Sequence, residues 1–361
     1  MTPRRRLVIR LLLPICLAIL LIAGYGIYWW QVARQLEAGI AAWTAEQRAQ
    51  GAVVQYQGGK VHGFPFTFTA DFSDISLLGR WSGTDLSVRT AALRLNLSPL
   101  DLTLIRFAAD GPVTVILPEI ALETNTNGTA GVRLTANRAA GQVDLRNGVL
   151  AALSVDAGRS KLDNGKNAIG LGSLHLGLAL PPTPPSNFND PAADIALAAT
   201  NIDLPAGPTE LLPGPILQAG LRGTIRGPLE AAADDQAAHS VTEILTRWRD
   251  IGGVVDVARF DFAQGPLSLT GSGTFALDQN LQPLGASKVT ATGLGELIDL
   301  MIARGQIVGK DAQTAKMVVA GLAKPGTNGR PEVTLSFSIQ DSIVSFGPLR
   351  LMRLAPIPWP Q

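Results

Sequence analysis

Three histidines, one cysteine and a scatter of carboxylates are the side chains of this 361-residue chain that could carry catalysis or hold a metal. The histidines, His62, His175 and His239, lie far apart and lack the i, i+4 spacing that puts two imidazoles on one helix face beside a metal. Cys16 stands alone within an apolar run, so neither a disulfide framework nor a thiolate cage can be built. The residues before it, Pro14 and Ile15, are not the small ones a lipidated cysteine would follow. Asp71 with Asp74, and Asp234 with Asp235, fall in turn-like or exposed contexts rather than facing each other as an acid and base. The glycine pairs in Gly293–Ile298 (GLGELI) and Gly271–Phe275 (GSGTF) lack the remaining residues of a phosphate-binding loop, and no G-x-S-x-G elbow occurs. The expectation is a protein with no catalytic residue, no cofactor and no metal site.

Composition turns attention to the scaffold. Charged residues make up only 16% of the chain, against about 25% in an average soluble protein, while glycine reaches 38 and proline 24 residues. That balance suits many short strands and turns. Of a net charge of +1, four positive charges come from Arg4, Arg5, Arg6 and Arg10, leaving the rest mildly acidic and without the basic face that nucleic acid requires.

Those arginines precede the run from Leu11 to Trp30, which carries no charge. As a helix rising about 1.5 Å per residue it measures about 30 Å, the thickness of a bilayer's hydrocarbon core. Basic residues before it and Tyr25, Tyr28, Trp29 and Trp30 at its far end match a cytoplasmic start and an interfacial aromatic belt. A cleaved signal peptide would show small residues after its apolar core, where this chain has bulky aromatics. The reading is an uncleaved, single-pass anchor in a bacterial inner membrane, with residues 11–30 in the bilayer, residues 1–30 comprising the basic start and span, and the bulk of the chain periplasmic. Val32, Leu36, Ile40 and Trp43 then recur at helical spacing, predicting an amphipathic helix over 31–50 that ends at Gly51.

From residue 51 onward short alternating runs are punctuated by Gly, Asn, Asp and Pro, the pattern of half-buried antiparallel strands and hairpins. Asn147-Gly148 is a hairpin turn signal. The stretch PPTPPSNFNDP, residues 181–191, reads as a linker between an N-terminal β region (51–180) and a C-terminal one (192–361). Helical spacing interrupts the alternation near 239–250, where Ser240 would cap and Trp248 face inward, and again near 294–304 and 309–323. The fold class expected is mainly β with a few helices: one transmembrane helix followed by an elongated, curved antiparallel sheet.

Two strands carry the candidate binding residues. Leu174, Leu176 and Leu178 line one side of a strand whose other side holds Ser173, His175, Gly177 and Ala179. Phe64, Phe66, Phe68, Ala70 and Phe72 occupy one face of a strand entered through Gly63 and Pro65. Such a face must be covered, by the preceding helix or by a ligand. His62 reads as a rim residue.

The segments GAVVQYQGGKVHGFPF (51–66), LIDLMIARGQI (297–307), AKMVVAGLA (315–323) and VSFGPLRLMRLAP (344–356) resemble an alphaproteobacterial family of membrane-anchored proteins, DUF2125, known only as a domain of unknown function. The resemblance implies an envelope location and supplies no activity. In architecture alone, one anchor followed by many amphipathic strands, the chain is also similar to AsmA-like envelope proteins. The leading functional expectation is a noncatalytic envelope protein whose apolar sheet face binds lipid or another acyl-chain molecule, with Phe64, Phe66, Phe68, Leu174, Leu176 and Leu178 as contacts. The alternative is a scaffold that holds partner proteins through sheet edges or through the proline-rich tail LAPIPWP (354–360).

Overall fold

The computed structural model describes residues 3–81, 84–117, 131–165, 167–205, 212, 214–228, 241–326, 329–347, 349–357 and 359. It is mainly β, one large antiparallel sheet with four helices among the described residues. Helix α1 (Pro3–Ala49) comes first, and its side chains are described from Ile19 onward. The expected amphipathic helix is thus the second half of one longer helix, which stops before Gly51 as its spacing predicted.

The strands then form a meander. β1 (Val53–His62), β2 (Phe68–Trp81), β3 (Thr84–Ser98), β4 (Asp101–Leu117), β5 (Val132–Arg146) and β6 (Val149–Ala157) each pair with the next. The β5–β6 turn is Asn147-Gly148, both with positive φ (54° and 79°), the geometry that matches the twist of a two-residue hairpin. β7 (Ser160–Asp163) and β8 (Ala168–Leu171) fold back beside β5, so the main sheet passes from β6 directly to β9 (Ser173–Ala179). It continues through β10 (Pro191–Ile202), β11 (Ile216–Arg226), β12 (Val254–Gln264), β13 (Leu267–Leu277) and β14 (Pro283–Thr292). Beyond β14 lie β15 (Lys324–Pro325), which pairs only with β16 (Pro331–Gln340), and then β17 (Ile343–Phe346) and β18 (Leu349–Arg353). β9 and β10, on either side of the proline-rich stretch, pair from Ser173↔Thr200 to Ala179↔Asp194.

Three helices interrupt the meander. α2 (Val241–Asp250) precedes β12, and the residue expected to cap it, Ser240, lies outside the described residues, as do Asp234, Asp235 and His239. Its Trp248 is buried, packs over Gly253 and donates its indole N–H to the Arg226 carbonyl at 2.8 Å, closing the ends of β11 and β12. α3 (Leu294–Ala303) and α4 (Gly309–Leu322) form the expected pair, joined by the Lys316–Asp299 ion pair at 2.5 Å. The pair rests on β13 and β16, over Val333, with Ile298 and Ala312 turned inward.

Helix α1 runs antiparallel to β1. Glu37 accepts from the Val61 backbone N–H at 2.8 Å, Thr44 meets the Tyr56 hydroxyl at 3.3 Å, and Arg48 donates to the Val54 carbonyl at 2.6 Å. The helix therefore covers the first strands. Phe68 is the one large side chain described as fully buried, 1% exposed, with Trp29 stacked on it at 5.1 Å between ring centroids.

The expected phenylalanine strand is corrected in its first half. Phe64 and Phe66 lie in a turn, 53% and 81% exposed, and β2 begins only at Phe68. The Gly63 carbonyl accepts the backbone N–H groups of both Phe66 and Thr67, a closed turn that alternation of residue types does not reveal. Gly63 adopts φ +103°, and a Cβ there would collide with Thr67, so only glycine fits this corner. Phe68, Ala70 and Phe72 do share a buried face.

Candidate functional site

The cross-strand register sorts the sheet into two faces of opposite chemistry. On one, successive partners are Ala70, Leu95, Phe107, Gly141, Val155 and Leu176. The same row goes on through Leu197, Leu221, Phe260, Gly271, Val289 and Leu335. Twelve strands contribute one residue each, and every one is apolar or glycine. Where glycine occurs, a neighbouring ring lies over it, Phe107 over Gly141 and Phe260 over Gly271, so aromatic surface fills the space the missing side chain leaves.

One residue along each strand, the opposite face reads Asp71, Arg94, Ala108, Ala140, Asp156 and His175, then Ala198, Gly220, Asp261, Thr270, Thr290 and Thr334. Only charged, hydroxyl and small residues appear. Strand geometry alone produces this split, because successive side chains alternate sides and each bulge keeps the apolar set in phase.

Among the described residues little covers the middle of the apolar face. The substantial helix–sheet contacts among the described residues are α1 on β1, α3 on β13 and α4 on β16, all toward the two ends of the strand order. Between them Leu176 is 36% exposed and its cross-strand neighbour Leu197 46%. The chain presents 23172 Å² of accessible surface, whereas a compact monomer of this length would show about 14,000 Å².

The expected contacts therefore divide. Leu174, Leu176 and Leu178 lie together on the apolar face, half-buried or exposed, while Phe68 shares that face but is sealed under Trp29. Phe64 and Phe66 belong to neither face. The register adds Val155, Leu197, Leu221 and Phe260 to the candidate surface. Each gave the same alternating signal within its own strand, but their alignment depends on pairings no single strand discloses.

Two shallow depressions open on the polar face. One, about 520 Å³, is bordered by Ser154, His175, Gly177, Ala196, Arg222 and Thr224, and the other, about 800 Å³, by Asp110, Arg138, Asp156, Arg159 and His175. His175 Nδ1 stands 2.7 Å from Asp156, and His62 lies 3.4 Å from Asp71, which also accepts from Arg94 at 2.7 Å. The Arg94 partner holds its own proton more tightly because of the Asp71 hydrogen bond. These pairs are solvent-exposed and contribute little to stability. Among the described residues no group of three or more potential metal ligands is found.

Further along, Asp256 accepts from Arg226 and Thr274, and these hydrogen bonds hold its carboxyl below the ordinary carboxylate range. Asp190 gathers the backbone N–H and hydroxyl of Ser186 and the backbone and side-chain amides of Asn187, which lowers its pKa and orders the proline-rich loop. The tail is tied down as well. Ile357 exchanges hydrogen bonds with the Gln282 side chain and Trp359 donates to the Leu281 carbonyl at 2.7 Å.

Among the described residues no helix is long and apolar enough to cross a membrane; the side chains of residues 11–18, within the expected span, lie outside them. What is described of the expected span ahead of Tyr25 is apolar and uncovered, with Ile19, Leu20, Leu21 and Ile22 each 59–69% exposed.

Over residues 29–356 the chain matches the model of a family described as an uncharacterized protein conserved in bacteria, DUF2125, and it belongs to that family. No curated protein and no solved structure matches it.

Proposed function

We propose that this family member is a membrane-anchored protein of the bacterial envelope that holds an acyl chain, as lipid or a related molecule, along the apolar face of its sheet. The observation that carries the reading is the unbroken apolar row across twelve strands, left open between its helix-covered ends. Soluble monomers rarely leave a contiguous apolar surface of this extent in water. An alkyl chain laid along the row would bury its methylenes at about 0.8 kcal/mol each, with shape rather than charge selecting the ligand.

The N-terminal half of α1 supplies the anchor in this reading. Its start carries Arg4, Arg5, Arg6 and Arg10, which favours retention on the cytoplasmic side and puts the sheet in the periplasm. Native mass spectrometry of the full chain in mild detergent, with lipid extraction, tests the ligand. The parent is expected to carry lipid. A Leu176→Asp, Leu197→Asp double variant, whose carboxylates fall at already exposed positions, is expected to keep the parent circular dichroism spectrum and carry none. A parent free of lipid would overturn the reading.

A further inference from the structure

The edge of the sheet beside α1 is built unlike the rest. At or beside three successive hairpin connections at the same end of the strands, β1–β2, β3–β4 and β5–β6, a large apolar side chain faces solvent: Phe66 at 81%, Leu100 at 96% and Val149, the first residue of β6, at 67% exposure. Farther along this end Phe188 before β10 and Ile251 before β12 are exposed to a lesser degree, 53% and 43%, and the turns Asp278-Gln279-Asn280 before β14 and Asp341-Ser342 before β17 are polar. A turn tip ordinarily gains nothing from an apolar residue there, and the most exposed of these apolar residues are the ones nearest the helix.

The helix fixes where these tips sit. The Tyr25 hydroxyl donates to the Pro65 carbonyl, the Tyr28 hydroxyl to Pro99 at 3.1 Å, and the Trp29 indole N–H to Thr67 at 3.2 Å. Two of the three connections are thereby clamped to one short helical segment, and Phe64 packs against both Tyr25 and Trp29. On the N-terminal side of that clamp α1 projects past the sheet for about 33 Å at 1.5 Å per residue. Ile19 to Ile22 are four consecutive exposed residues, and since each advances about 100° around the axis, that stretch is apolar on all sides.

We infer that Phe66, Leu100 and Val149 enter the interface of the same bilayer that α1 crosses, so that this sheet end stands on the membrane surface. The inference rests on the anchor reading above. Amphipathic aromatic rings settle at the headgroup level, which fixes Tyr25, Tyr28 and Trp29 there, and the clamped tips share that depth. The apolar face of these first strands then begins beside the bilayer, with Phe68 the first residue of β2.

The full chain, carrying Cys16→Ser and a single new cysteine at Phe66, Leu100 or Asn167, is labelled with an environment-sensitive fluorophore and reconstituted into vesicles of phosphatidylethanolamine and phosphatidylglycerol. Asn167 is exposed in the β7–β8 turn at the opposite end of the strands. Labels at Phe66→Cys and Leu100→Cys should shift to shorter wavelength, brighten several-fold and be quenched by lipids spin-labelled near the headgroup, while Asn167→Cys stays water-like. Protein that floats with the vesicles yet shows water-like emission at both tips would overturn this inference and leave the anchor standing. Protein that fails to float would overturn both.

Discussion

Phe68 and Leu176 sit on the same face of one sheet, yet Phe68 is 1% exposed and Leu176 36%. Nothing in the strands themselves separates them: both are large apolar residues alternating with polar ones, and each pairs with apolar partners, Leu97 for Phe68 and Leu197 for Leu176. The difference is the cover. α1 supplies Trp29 above Phe68, whereas among the described residues no helix makes a substantial contact with β9 or β10. The covered end behaves as a hydrophobic core, and the open middle has the composition of a core without its lid, which is what a binding surface requires.

If that contrast is right, substitutions at the two places must differ in kind. Phe68→Ala should cost about 3–5 kcal/mol, because it removes a buried ring and leaves a cavity beneath Trp29, and urea denaturation would show it as a lowered midpoint. Trp29→Ala removes the cover and should cost about 2 kcal/mol in the same assay, from lost burial and the lost ring stack. Leu197→Ala, in the open middle, should cost less than about 1 kcal/mol while lowering the lipid retained by the purified protein. A Leu197→Ala loss as large as that of Phe68→Ala would mean that the middle is covered after all.

A smaller effect sharpens the contrast from the polar side. Hydrogen bonds from Arg226 and Thr274 depress the Asp256 pKa in the folded protein, so their contribution is fully present above the ordinary value of about 3.9 and is lost as pH falls through the lower folded value. Thermal unfolding of Asp256→Asn against the parent should differ near neutral pH and converge in acid. Lipid retention near neutral pH should be unchanged, since Asp256 pairs with Thr224 and Thr274 on the face opposite Val255 and Val257.

Much of this was legible in residue order. Alternation separated Leu174, Leu176 and Leu178 from His175 and Gly177, and helical spacing with Gly305 located α3 and α4 to within a residue or two. Residue order offers the helix following Trp30 as a cover for the phenylalanine face, whereas the residue that lies on Phe68 is Trp29, at the end of the segment assigned to the bilayer. Phe64 and Phe66 misled because a turn closed on the Gly63 carbonyl and a strand place aromatics at the same spacing of two. The row across twelve strands was hidden for a different reason. Register is set by pairing and by bulges, such as those between Thr90 and Arg94 or between Arg222 and Gly223, which keep the apolar set in phase and leave little mark on local pattern.

The most direct test sets Leu176 against its chain neighbour His175, whose side chain is 40% exposed on the other face. A photoreactive diazirine residue is placed at one position or the other in the full chain, irradiated in cells, and the purified protein is analysed by mass spectrometry for lipid adducts. The account predicts adducts at position 176 and none at 175. Equal labelling at both positions, or none at 176, would contradict it.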